Sequence, residues 1–546
     1  MKHHFILIIV ILLATFLRLW GLNNFPAGLN ADEASLGYNA YSLLQTGKDE
    51  YGNSWPLTLK SFGDYKPALY AYTIMPFVAI LGLNEWAVRL PSAMFGIATV
   101  VLIYFLAKEI FLKREIGLTS AFLLAISPWH LHFSRGGWET NTATFFIVLG
   151  VYLFIKSIKD TRYLFWSFIS FLISMYTYQS PRLIVPLLGL TLLAFYYKKI
   201  IKSYQYKDIK KTHIGAALVL IILSIPLILQ FTSGAGSARF TGLSYLSDIG
   251  PINRTNELRG EHYVSDNPPA KIFHNRVTSL IPEFLGHYLD HFRPDFLFIR
   301  GDPLMRNKVP ETGQFYLIEA LFLIVGMFVL IRQKYRHTLV LVAWILISPL
   351  ASSLTYQTPH ALRALSMVIP LTLVMGYGLW VVVTFLRSKF KIVGILLISG
   401  IIIFEAVHYL ESYYVHYPKR YPLAWEYGFS QMIRNLSKIE GNYKKIVITD
   451  RYDQPYILLL FFKKYDPKKY QPQANLSERD KFNFGTIRNF DNYEFRSIVK
   501  TDIKDASHEI LFIGTAEEIP NDAKILDEVH FMNNEPAFIF TEGEKK

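Results

Sequence analysis

Apolar runs separated by polar connections constrain this chain more than any other feature, because the connections alternate in charge. A helix needs about 20 residues to cross a hydrocarbon core at 1.5 Å per residue. Runs of roughly that kind cover 5–22, 86–112, 116–133, 142–155, 163–178, 183–197, 214–231, 315–331, 339–354, 365–386 and 392–410, about eleven in all. Every second connection is basic: Lys113-Arg114, Lys156 to Arg162, Lys198 to Lys211, Arg332 to Arg336, and Arg387 to Lys391. The short connections between them hold one arginine each, Arg135, Arg182 and Arg363. Under the positive-inside rule the basic side is cytoplasmic, which puts the amino terminus inside and those three arginines outside. One more crossing would scramble the pattern, so the apolar segment 67–83 reads as a helix at the outer interface.

Composition agrees with a membrane chain, since 51% of the 546 residues are apolar and only 18% are charged. The net charge of +13 sits in the short basic connections, which argues against nucleic acid as a partner. With no cysteine in the sequence, disulfides, thiolate nucleophiles and cysteine-ligated metals are excluded. Arg18 interrupts the first apolar run and no clean cleavage site follows, so that run reads as a retained span rather than a signal peptide. The expected organisation is a polytopic α-helical membrane domain over 1–410, with outer loops at 23–85 and 232–314, and a small extracytoplasmic α/β domain over 411–546. Within the latter, Ile446-Val447-Ile448 and Ile510 to Ile513 read as buried strands.

Chemistry has to come from the outer polar residues. Asp32-Glu33 follows Asn30 at the start of a helical pattern whose Leu36, Tyr38, Tyr41 and Leu44 suit an interfacial amphipathic helix. The acidic pair either complements that helix's dipole or carries chemistry with cations brought beside it. Asp64-Tyr65-Lys66-Pro67 closes the same loop, and Lys66 reads equally as a headgroup anchor or a phosphate contact. Arg135 and Glu139, flanking the third and fourth runs, are too costly to leave in hydrocarbon and face a polar cavity or headgroups. Arg182 and Arg363 each sit at an outer span end, where a guanidinium forks toward phosphate or snorkels to lipid. His130 and His132, two apart on a helix, point to different faces and do not make a metal site.

Asp32-Glu33, Asp64-Tyr65-Lys66-Pro67, Arg89-Leu90-Pro91-Ser92 and Glu139, in that order, resemble the GT-C glycosyltransferases, specifically the protein O-mannosyltransferase-like group that includes the lipid A aminoarabinose transferase. The resemblance spans 1–410 and is strongest over 22–141. It implies a GT-C-like membrane glycosyltransferase, multi-pass in the plasma membrane, using a polyprenyl-phosphate-linked sugar donor and a protein, lipid or polysaccharide acceptor outside the cytoplasm. It further implies that Asp32 is the catalytic carboxylate and Lys66 a contact to the carrier phosphate, with Glu33, Asp64, Arg135, Glu139, Arg182 and Arg363 binding or orienting substrate. Two departures are visible: Tyr65 stands between Asp64 and Lys66, and Glu139 replaces an aspartate of some relatives. Polyprenyl phosphate leaves without a proton, so cations replace the general acid and one carboxylate serves as base, giving inversion. The lysine and arginines make a cofactor unnecessary, although a divalent ion bridging carboxylates to phosphate is compatible with them. The competing reading is a transporter or flippase of lipid-linked saccharides. It would place ionisable groups at mid-span, where Glu405 is the clearest example.

Overall fold

The computed structural model describes residues 2–203, 207–232, 250–262, 268–333, 337–386, 390–479 and 484–545. Parts of the expected outer loop 232–314 and of the basic connections 198–211, 332–336 and 387–391 lie outside them. Among the described residues, five helices are long and apolar enough to cross a membrane. They are α1 (Lys2–Leu19), α4 (Glu85–Phe111), α7 (Glu139–Ser157), and the stretches Leu365–Phe385 and Lys391–Arg420. A sixth candidate is a bent pair, α5 (Arg114–Ile126) and α6 (Pro128–Arg135), turning by 56°. The bend falls where Ser127 takes φ −54°, ψ 122°, as the residue before a proline tends to do. The other expected runs also fall on helices, Arg162–Thr177, Pro181–Ser203, Lys207–Thr232, Leu317–Arg332 and Thr338–Ile347. The segment after Pro67 forms the 13-residue helix α3 (Leu69–Leu81), too short to span.

The chain divides into two compact units, each described by itself. The first comprises 1–15, 96–132 and 143–407. Its helices pack through small residues: a Cβ on Gly378 would stand 1.9 Å from the carbonyl oxygen of Phe322, and one on Gly326 2.2 Å from that of Val374. Close backbone approach of this kind is how apolar helices gain contact without a hydrophobic driving force between them. Glu405 accepts a bond from the backbone N–H of Ile318, 3.4 Å away, at the start of Leu317–Arg332. It therefore serves a helix N-terminus.

The second unit comprises 16–95, 133–142 and 408–546. Its first part is helix α2 (Ala31–Thr46), the antiparallel hairpin β1 (Thr58–Ser61) and β2 (Asp64–Pro67), and α3. Its last part is a six-stranded sheet, β3 (Lys445–Ile448), β4 (Asn489–Phe490), β5 (Tyr493–Phe495), β6 (Ile510–Gly514), β7 (Ile525–His530) and β8 (Pro536–Glu542), in the order β4-β5-β3-β6-β8-β7. The two expected strands are β3 and β6, and they pair in parallel with Ile446 opposite Leu511. One core joins both parts: Ala34, Leu36, Tyr38, Tyr70 and Ile74 pack with Phe429, Ile448, Tyr456 to Phe461, Phe495 and Phe538. The 411–546 region is thus not closed on itself. Helix α2 differs from the interfacial helix expected for it. Its Leu36 and Tyr38 are buried, and Gly37 lets Phe461 approach to 2.6 Å of where a Cβ would sit. The burial comes from α3 on one side and the apolar helix Pro455–Lys463 on the other.

Candidate active site at the start of α2

Asn30 caps α2, its Oδ1 accepting from the N–H of Glu33 at 3.0 Å. That leaves Asp32 and Glu33 in the first turn, where negative charge is favoured by the helix dipole. Consecutive helical residues point about 100° apart, and the two carboxylates meet opposite environments. Asp32 keeps 30% of its side chain exposed and accepts a hydrogen bond from the ammonium of Lys66. Glu33 turns inward and is fully buried.

Glu33 is held by Arg89, also fully buried. The guanidinium Nε donates to Glu33 Oε1 at 2.9 Å and Nη2 to Oε2 at 3.1 Å. Its remaining donors reach the carbonyls of Leu22 and Pro26, each at 3.0 Å, and of Gly28. All five N–H groups are therefore used, and the loop entering α2 is fixed by a single side chain. Gly137 N–H donates to Glu33 Oε1 at 2.6 Å, so the segment after α6 joins the same anchor. A buried charge pair costs heavily unless its lone pairs and protons are all satisfied, and here they are.

Lys66 is carried by the hairpin, in register opposite Leu59, and only 11% of its side chain is exposed. Its ammonium lies 5.1 Å from the ring centre of Phe62, a favourable placement for a cation. Asp64 faces Ser61 across the turn and accepts from the N–H of Tyr65 at 2.7 Å. The hairpin end is held from far along the chain: Gly485 N–H donates to Phe62 O at 2.9 Å, and Arg479 to Gly63 O. Arg135 is buried and directs its donors to Leu17 O (2.6 Å), Trp20 O (2.7 Å), Phe25 O (3.2 Å) and Tyr413 Oη (3.1 Å). Glu139 is buried as the first residue of α7, where the dipole again favours it.

Glu50 escapes a reading of the sequence. It is fully buried beside Asn39, whose amide donates to Glu50 Oε1 at 3.0 Å and accepts from Glu50 N–H at 2.9 Å. Burial pushes its carboxyl up to about 8; Asn39 and the charge of Lys66 oppose the rise, and Asp49 adds to it. Serine and asparagine on the Asp32 side of α2, Ser35 and Asn39, lead toward it, with Ser35 Oγ 3.1 Å from Ser61 Oγ. At the start of α2, then, Asp32 meets Lys66 and Glu33 meets Arg89 and Gly137, and Asp64, Arg135 and Glu139 belong to the same second unit. Arg182 and Arg363 belong to the first unit. Arg182 donates to Met175 O at 3.2 Å and Gln230 Oε1 at 2.9 Å, and Arg363 to Thr355 Oγ1 at 2.6 Å. Among the described residues no group of three or more His, Asp or Glu side chains is placed to hold a metal ion.

A half-exposed carboxylate tethered to a lysine, on a rigidly clamped helix start, is suited to accept a proton while the cation meets an anion. Residues 65–229 match the family described as dolichyl-phosphate-mannose-protein mannosyltransferase. Over 151 residues, 28% of the chain, the sequence is 27% identical to YkcB of Bacillus subtilis (strain 168), whose name proposes mannosyltransferase activity. That match spans 21% of the relative's length, about a fifth. Among solved structures, ArnT from Cupriavidus metallidurans bound to undecaprenyl phosphate is similar with a TM-score of 0.53 at 10% identity, covering 98% of this chain and 97% of that one. The archaeal oligosaccharyltransferase AglB from Archaeoglobus fulgidus, in complex with an inhibitory peptide and a dolichol-phosphate, is similar with a TM-score of 0.50 at 14% identity, covering 84% of this chain and 63% of that one. The chain therefore has the GT-C fold of ArnT and AglB and carries, over residues 65–229, a domain that matches the mannosyltransferase family.

Proposed function

We propose that this protein is an integral-membrane glycosyltransferase that moves a sugar from a polyprenyl-phosphate carrier to an acceptor on the extracytoplasmic face. The observation that carries the reading is the contact between Asp32 and Lys66, two residues from separate elements that meet at a partly exposed position. In this account the carrier phosphate takes the place of Asp32 at the ammonium. Lys66 stabilises the charge that builds on the departing phosphate. Asp32, released from the lysine, accepts the proton of the attacking acceptor hydroxyl. Attack in line with the leaving phosphate inverts the anomeric carbon. General base catalysis of this kind typically contributes about 10² to 10⁴ in rate.

Glu33, Arg89 and Arg135 serve this site by holding the chain that presents Asp32, since their polar atoms are directed to protein groups. Asp64 and Glu139 orient sugar or acceptor. The reading includes about eleven crossings, a cytoplasmic amino terminus and an extracytoplasmic carboxyl-terminal region, as the basic connections suggest. ArnT and AglB were solved with polyprenyl-type phosphates, which supports a carrier-linked donor here.

The test is product analysis with purified protein in proteoliposomes, supplied with polyprenyl-phosphate sugars and an envelope extract as acceptor. Free polyprenyl phosphate should form in equal amount to transferred sugar. Movement of the intact lipid across the bilayer, with no cleavage of the sugar–phosphate bond, would instead identify a flippase.

A further inference from the structure

The helix Arg276–Asp290, in the first unit, is built inside out. A helix on a water-soluble surface turns its apolar stripe to the core and its polar face outward. Here Val277, Ile281, Leu285 and Leu289, spaced by four, are 48–61% exposed, and the only other strongly exposed positions between them are Thr278, Pro282 and Gly286. Glu283, His287 and Asp290 lie on the less exposed side. The preceding short helix, Pro268–Phe273, adds Ile272 and Phe273, both more than 60% exposed.

The polar side of the helix is bonded to protein. Ser279 Oγ meets Thr255 Oγ1 on that side, while Tyr288, at the edge of the apolar stripe, donates from Oη to Leu346 O at 2.8 Å. Leu346 belongs to Thr338–Ile347, an apolar helix whose own Leu339 and Leu346 are exposed, so the stripe runs beside a flank that is itself apolar. Asp290 pairs with Arg293 at 3.1 Å and accepts from Thr358 Oγ1 at 3.4 Å. His291, just past the helix, donates from Nδ1 to His287 O at 2.9 Å and accepts at Nε2 from Ser352 Oγ (2.7 Å) and His360 N–H (3.2 Å). The polar side thus reaches the loop that carries Arg363.

We propose that Arg276–Asp290 is an interfacial anchor, with Val277, Ile281, Leu285 and Leu289 lying in the boundary between headgroups and acyl chains of the bilayer, and that it pins the Thr358–Arg363 loop at the membrane surface. Helices of this kind bury their apolar face about 5–10 Å below the headgroups. Exposed Lys271 and Arg276 lie at the start of the stripe, placed for anionic headgroups. A lipid surface fits these observations better than a protein partner, because the stripe adjoins an apolar helix flank and carries no charge of its own along its length.

The sequence lacks cysteine, so single-cysteine variants label at one site without background. Nitroxide labels on Ile281→Cys and Leu285→Cys, in vesicles of phosphatidylethanolamine and phosphatidylglycerol at 3:1, are compared for collision with oxygen and with a water-soluble nickel chelate. Glu257→Cys gives an aqueous reference and Ile324→Cys, in an apolar helix, a hydrocarbon one. The expected result is oxygen-dominated relaxation at 281 and 285, approaching the Ile324 reference and at least fivefold above Glu257 in the oxygen-to-nickel ratio. Nickel accessibility equal to that at Glu257 would overturn the proposal, as would strong dipolar broadening between labels, which would show a second copy on the stripe. Because no sugar transfer is measured, failure of the glycosyltransferase reading leaves this outcome unchanged.

Discussion

Replacing Glu50 with glutamine separates the two costs of burying a carboxyl. The folded protein holds this proton up to about pH 8, whereas the unfolded chain releases it near the ordinary carboxylate value. Below the unfolded value the two states bind the same proton and the group costs no linkage energy. As pH rises toward 8, the unfolded state is increasingly favoured. Glu50→Gln is therefore expected to raise the melting temperature by several degrees at pH 8 and by much less at pH 5, read by thermal unfolding in detergent at both pH values. Arg89→Met tests the clamp. Stranding the buried Glu33 carboxylate should cost about 3–5 kcal/mol, seen as a loss of folded yield that Glu33→Gln in the same chain partly restores. The meeting of Asp32 with Lys66 could be anticipated because charged side chains are sparse in so apolar a sequence and these two fall in one polar connection. Glu50 could not be, since Asp49, Gly52 and Asn53 around it read as an ordinary polar turn. Tyr51 and Tyr456 lie near it, and Tyr456 is 405 positions from its contact Tyr51.

Among the elements, the start of α2 depends on backbone geometry as much as on side chains. Gly28 takes φ +102°, and a Cβ there would stand 2.0 Å from the carbonyl oxygen of Trp425. Gly28→Ala should therefore cost more than Asn30→Ala, for which loss of the cap alone predicts about 1 kcal/mol. The comparison is made by denaturant titration of the two variants, and an equal or smaller effect at Gly28 would count against the close approach. Long apolar runs announced their helices, because a repeating pattern over 16 or more residues outweighs local detail. The hairpin β1–β2 did not announce itself. Its strands are four residues each, and its position is fixed by Arg479 and Gly485. Helix α2 read as interfacial for a related reason: its pattern shows which faces are apolar, but not that a helix from 455–463 will cover one of them.

At the scale of the whole molecule, the core that unites residues 29–88 with 429–540 ties the site to the carboxyl-terminal sheet. Ending the chain after Glu411 would strip that core from α2 and α3. The truncated protein is expected to be cleaved by trypsin within the 48–66 segment under conditions where the full chain resists, even if its apolar helices insert. The alternation of basic connections made the chain's class readable, since lipid leaves few solutions for a backbone. The shared core was hidden, because no pattern in 23–85 names its distant partner. The central claim is that Asp32 takes a proton as Lys66 receives the carrier phosphate. Single-turnover sugar transfer by purified Asp32→Asn, checked for folding by its melting temperature, tests this most directly. The account predicts a loss of at least 100-fold with donor binding retained. A rate within threefold of the unaltered protein would contradict it.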